Sequence, residues 1–112
     1  MIRYLISFDD GSMTFPQEDL PEVARAAHEV VQQAKDAGVW IFGAGIDGQD
    51  VSVVGTDGTV SQNPYPASKP HIGGFSIIEV PTHEDALEWA ARIAVACRCA
   101  QDVRPLFYDP ES

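Results

Sequence analysis

Basic residues are scarce in this chain. Seven lysines and arginines stand against 17 carboxylates, for a formal charge of −10. They are scattered singly, so nothing forms the basic stripe that would neutralise a phosphate backbone, which argues against nucleic-acid binding. Long apolar runs are missing as well. No stretch approaches the roughly 20 residues of a membrane span. The opening MIRYLISFDD is apolar, but it carries Arg3 inside and Asp9-Asp10 behind, with no small-residue cleavage site. It reads as a first strand rather than a signal peptide, and the cytoplasm is the expected compartment.

Cysteine is nearly absent too. The only two, Cys97 and Cys99, sit in ACRCA. A bridge between them would close a small strained ring. Zinc asks for about four ligands, and no second pair exists. The reading is reduced, structural thiols in a reducing compartment. A metal site built from both cysteines and a histidine is the alternative. What remains is an ordinary apolar content, 45% of 112 residues, enough for one domain over 1–112 with a core that needs no staple.

Residues 2–8 alternate and predict a strand. Residues 9–18 are loop. Asp19-x-x-Glu22 resembles a capping box ahead of a helix whose Leu20, Val23, Ala27, Val30, Val31 and Ala34 recur at helical spacing; Gly38 ends it. VWIFGAGI (39–46) is strand-like, and Asp57-Gly58 between apolar pairs marks a hairpin. GGFSIIEV (73–80) is a further strand. Thr82-x-x-Asp85 opens a second helix with an apolar face of Ala86, Leu87, Ala90, Ile93, Ala94 and Cys97. Residues 102–108 form a last strand at an edge, because Pro105 cannot donate to a ladder. Gly43-x-Gly45-x-x-Gly48 spells a dinucleotide fingerprint, but a hairpin follows it rather than a helix, so that reading fails.

The order β-α-β-β-β-α-β reduces, without its middle hairpin, to the α+β ferredoxin-like arrangement: an antiparallel sheet with two helices on one face. The strands are apolar on both faces. Ile2, Tyr4, Ile6 and Phe8 oppose Leu5; Val39 and Ile41 oppose Trp40 and Phe42; Phe75 and Ile77 oppose Ile78 and Val80. Two helices cover one face only, and an open antiparallel face would normally alternate to polar. The simplest cover is a second copy of the same sheet, a twofold homodimer.

Between hairpin and third main strand runs SQNPYPASKPHIGGF (61–75), where prolines stiffen a loop bearing Tyr65, Lys69 and His71. Here the chain resembles the YCII-related proteins, in the branch named for a D-G-P-F motif. Pro64, Tyr65 (for Phe), Lys69, Gly73, Gly74 and Phe75 match in position. So do Glu88-Trp89-Ala90-Ala91-Arg92 on the second helix, Asp102-Val103-Arg104-Pro105 at the end, and Ala37-Gly38-Val39. The resemblance covers most of the chain and implies a dimeric α+β barrel. It implies little about activity, beyond a few relatives that act on small aromatic compounds, one a dehydrochlorinase. Gln62 and Asn63 stand where the family has Asp and Gly, and Ala67 and Pro70 where it has glutamates. No acid–base role assigned to those carboxylates carries over.

In the wider family a helix histidine beside an aspartate has been proposed as catalytic; the helix pattern matches it to His28. That side chain flanks the apolar stripe, where it either packs at a boundary or turns its ring into a groove between helix and sheet. Asp9 or Asp10 would complete a general-base dyad. Lys69 and His71 either face water or bind an anionic ligand, with Tyr65 stacking on an aromatic one. Arg104 either binds a carboxylate or forms an ion pair across the dimer, Trp89 reads as core or interface, and His83 as exposed. Two functions follow. One is a cofactor-free lyase or isomerase acting on a small aromatic or anionic molecule, with His28 and Asp9 catalytic and Tyr65, Lys69 and His71 binding. The other is a non-catalytic dimeric small-ligand-binding or regulatory module.

Overall fold

A computed structural model describes residues 1–48, 50–66, 69 and 71–112. Ala67, Ser68 and Pro70 of the degenerate motif lie outside the described residues. The chain runs β1 (Ile2–Asp9), a 3-10 turn (Gln17–Asp19), α1 (Leu20–Asp36), β2 (Trp40–Gly45), β3 (Ser52–Val54), β4 (Val60–Gln62), β5 (Ile72–Val80), α2 (His83–Cys97) and β6 (Asp102–Pro105). The main sheet has the order β2-β5-β1-β6 with every neighbour antiparallel; β3 and β4 form a separate ribbon. Leaving out that ribbon, the order is consistent with a ferredoxin-like α+β arrangement.

Local chemistry explains the boundaries. Thr82 caps α2: its hydroxyl accepts from the Asp85 N–H at 3.1 Å and donates to the Asp85 carboxylate at 2.9 Å. Gly38, at φ +76, ends α1, and the N–H groups of Gly38 and Val39 return to the carbonyls of Lys35 and Ala34 at 3.0 Å. Gly58, at φ +85, turns the ribbon as its Asp-Gly pair predicts. Asp19 departs from expectation. It already has helical dihedrals at the end of the 3-10 turn and makes no cap. Its carboxylate instead accepts from Arg98 at 2.8 Å, tying the start of α1 to the end of α2.

Two further expectations are corrected. Simple alternation puts Trp40 and Phe42 on one face. The ladder pairs Trp40 with Ile78 but Phe42 with Ile77, so a bulge at Ile41 turns the two rings to opposite faces. The last strand stops at Pro105 rather than at residue 108. Its only neighbour is β1, whose end is reached when the Leu106 N–H donates to the Arg3 carbonyl at 2.8 Å. Phe107 and Tyr108 project beyond it, 96% and 83% exposed.

Tyr4, Ile6, Ile78 and Val80 form the helix-side core with Ala86 and Ala90 of α2. On the opposite face the register sets Leu5 beside Ile77, Ile77 beside Phe42, and the Phe42 and Phe75 rings 5.9 Å apart. Phe42 is 55% exposed. No helix or strand of the described residues is assigned across this face. The molecule is a plate of 44 × 43 × 18 Å. Its radius of gyration, 15.8 Å, exceeds the roughly 13 Å of a compact chain this long. No helix among the described residues is long and apolar enough to cross a membrane.

Candidate functional site

The space between α1 and the sheet follows from the strand residues beneath it. On the helix side of β2 and β5 the register sets Gly43 beside Ser76 and Gly45 beside Gly74. Three glycines and a serine stand where the neighbouring rungs carry Trp40, Ile78 and Tyr4. With so little side chain to fill the layer, a cavity of about 370 Å³ opens beneath Val30 and Val31 of α1 and beside Ile93 of α2.

Two aromatic rings exploit the missing side chains. A Cβ on Gly43 would fall 2.7 Å from the Trp40 ring, and one on Gly74 would fall 2.7 Å from the ring of Phe8. Each ring therefore rests on bare backbone, and both line the cavity. Gly45 differs: a Cβ there would meet nothing within 4 Å, because it would point into the empty space.

The polar groups on the cavity wall are few. His28 and Lys35 contribute from α1; seven residues apart, they lie within about 20° of each other on the helix surface. His28 is solvent-accessible as well as cavity-lining. Cys97 and Gln101 contribute from the end of α2 and the loop after it. Burial pushes the Cys97 thiol above its ordinary pKa, and the neighbouring Cys99 adds to the shift, so at neutral pH it is a protonated, weakly polar wall. Both cysteines are free. Among the described residues no group of three or more His, Cys, Asp or Glu is placed to hold a metal ion.

The residues singled out from sequence fall in two places. His28 does line a groove between helix and sheet. Asp9 ends β1 and Asp10 follows it, and among the described residues no hydrogen bond or ion pair joins either to His28. The Asp9 carbonyl accepts from the Ser12 hydroxyl at 2.6 Å, and the Asp10 N–H donates to the His71 carbonyl at 2.7 Å. Tyr65, Lys69 and His71 are brought together on the β4–β5 loop, outside the cavity lining. The Lys69 ammonium lies 3.3 Å from the centroid of the Tyr65 ring, and the His71 ring is 6.4 Å from it. One face of Tyr65 is thus taken by an internal cation–π contact.

Asn63 explains part of how that loop is shaped. At φ +47 it adopts the left-handed conformation that asparagine tolerates best after glycine. Its N–H donates to the Val51 carbonyl at 2.7 Å, and its side-chain oxygen accepts from the Val51 N–H at 2.8 Å. Elsewhere, Arg92 stacks on Trp89 at 4.4 Å and Arg104 reaches Asp102 at 3.8 Å. His83 is exposed, its ring 5.6 Å from Tyr4.

A larger groove of about 520 Å³ runs between α1 and α2 on the solvent side, but its charged rim is internally satisfied. Glu22 and Glu29 are held by Arg25, and Arg98 by Asp19. The cavity under α1 is the better candidate, since it lies between helix and sheet and its lining includes Lys35, which no carboxylate engages among the described residues. Sequence reasoning missed Phe8, Trp40, Lys35 and Ser76 as its lining. The available signal was the pair of glycine doublets, G-x-G on β2 and G-G on β5, which become one bare patch once the strands are paired. No protein-family model and no curated protein sequence matches this chain.

Proposed function

We propose that this chain is a small-molecule-binding protein whose ligand occupies the cavity between α1 and the sheet. The observation that carries the reading is the run of small residues Gly43, Gly45 and Ser76 on the cavity wall, beside which about 370 Å³ stays unfilled between α1 and the sheet. Cores ordinarily close such gaps, because an unfilled cavity of this size costs stability. Ligand pockets are the usual exception: apolar walls with a few convergent polar groups.

The same reading takes the chain as a YCII-related protein of the D-G-P-F branch, a homodimer in the cytoplasm. Asn63 supports the resemblance, since its left-handed backbone is what the motif's glycine would supply. The apolar face of Leu5, Phe42, Phe75 and Ile77 supports the dimer, as do the flat shape and the exposed Phe107 and Tyr108. Two such sheets pressed face to face would form an α+β barrel. Sedimentation should then report twice the 12.1 kDa chain mass, and Phe42→Asp should shift the species towards the monomer.

Gly45→Leu tests the site. The new side chain enters open space, so the fold survives while the cavity is filled. Any small molecule that raises the melting temperature of the wild type should fail to stabilise this variant. Equal stabilisation of both would place the ligand elsewhere.

A catalytic reading is favoured by one observation, the placement of His28 on the cavity wall. In that case His28 is the base of a cofactor-free lyase or isomerase. His28→Ala would then retain ligand binding and lose turnover. If His28→Ala leaves turnover of a found substrate intact, the base assignment is wrong.

A further inference from the structure

We infer that the ligand of this cavity is a small organic acid with a flat apolar body, and that Lys35 is the residue that selects its negative charge. The inference rests on the cavity reading above and adds the ligand's class and a specificity residue.

Charge accounting carries the first half. The chain has seven basic side chains. Arg3, Arg25, Arg98 and Arg104 each face a carboxylate, Lys69 lies over Tyr65, and Arg92 over Trp89. Lys35 alone has no such partner among the described residues, and it is one of the residues that line the cavity. Of 17 carboxylates in the chain, none lines the cavity among the described residues. In a protein of net charge −10, the long-range field repels anions. A local wall that includes the Lys35 ammonium and the His28 imidazole, with no carboxylate among the described residues, reverses that preference at short range. A basic residue in the last turn of a helix also suits the helix dipole, but that role would be served equally by an ammonium turned to water.

The second half comes from the rings. Trp40 and Phe8 both rest on glycine backbone, with the aliphatic Val30, Val31 and Ile93 also lining the space. A volume of about 370 Å³ is at the small end of ligand pockets, roughly 300–1,000 Å³. It suits a body of one or two rings that presents π-faces to indole and phenyl.

The test uses three probes with the full-length wild type: benzoate, its neutral isostere benzamide, and the saturated cyclohexanecarboxylate. Calorimetric titration should find benzoate tighter than either isostere by roughly twofold to tenfold, the range expected for one partly exposed charge pair or one aromatic contact. Lys35→Met should bring benzoate down to the affinity of benzamide while leaving benzamide unchanged, and Lys35→Arg should restore most of the difference. The anion assignment is overturned if benzamide binds as well as benzoate, or if Lys35→Met leaves benzoate untouched. Cyclohexanecarboxylate binding as well as benzoate overturns the flat body. Gly45→Leu separates these failures from failure of the cavity itself. Probes that bind alike but are all lost in Gly45→Leu sink the anion assignment only. Probes that bind Gly45→Leu as they bind the wild type, or no binding by any probe, sink both.

Discussion

The two helices lie on the same side of the sheet, yet what lies under them differs. Beneath α2, Ala86 and Ala90 meet Tyr4, Ile6, Ile78 and Val80, all of them 6% exposed or less. Beneath α1, Val30 and Val31 share a cavity with Gly43, Gly45 and Ser76. The helices supply the small partners in the first case and the strands supply them in the second. Small helix residues let the layers close, because large strand residues fill the gap. Small strand residues under a helix that offers only Ala27, Val30 and Val31 as apolar lining leave the gap unfilled. One half of the layer is thus closely packed, and the other half keeps a cavity.

The sharpest way to break this comparison is to make the packed half resemble the open one. Ile78→Ala deletes a fully buried side chain and should cost about 3–4 kcal/mol, read by urea denaturation. A loss under about 1 kcal/mol would mean that the α2 half is not the stabilising one. The open half distinguishes its own glycines. Gly43→Ala puts a Cβ 2.7 Å from the Trp40 ring and should cost about 1–3 kcal/mol through displacement of the indole. Gly45→Leu meets no atom within 4 Å of its Cβ and should change stability by less than about 1 kcal/mol, since new apolar burial offsets the entropy lost. If the two glycines behave alike, the cavity does not lie where the register puts it.

Smaller effects sharpen the picture at the ends of α2. Thr82→Ala removes its N-cap hydrogen bond and should cost about 1 kcal/mol in the same denaturation assay. The Cys97 thiol is pushed up by burial, so the folded state keeps this proton to higher pH than the unfolded chain does. Stability contributed by the neutral thiol is present at neutral pH and declines as pH rises past the ordinary thiol value. Alkylation by iodoacetamide should follow, slow for Cys97 at pH 7.5 and accelerating in more alkaline solution. Rapid modification at pH 7.5 would show that the thiol is not held inside the cavity wall.

Much of the layout was legible in the chain. Alternation marked β1 and β5, helical spacing marked both helices, and Asp57-Gly58 and Gly38 marked their turns through positive φ. Pattern failed where it had no contrast to read. Val39 to Phe42 are apolar without interruption, so nothing in VWIF signals the bulge at Ile41 that parts Trp40 from Phe42. Asp19 was read as a cap because spacing cannot show that Arg98, 79 residues away, takes its carboxylate. The site was harder still. His28 is visible on a helical wheel, but Lys35 gains meaning only when every other basic residue is found to be engaged. The floor of the cavity is a property of strand register, which sets the glycines of β2 against those of β5 although some 30 residues separate them. The proline-braced loop is unusual in composition, yet its Tyr65 and Lys69 satisfy one another.

The most direct test of the central claim is a backbone amide NMR titration of the wild type with benzoate. The cavity reading predicts that the largest shift changes fall on Gly43, Gly45, Gly74 and Ser76, with smaller ones on the α1 turn holding His28 and Val31. Changes centred instead on Tyr65, Lys69 and His71, with the glycine amides unmoved, would contradict it.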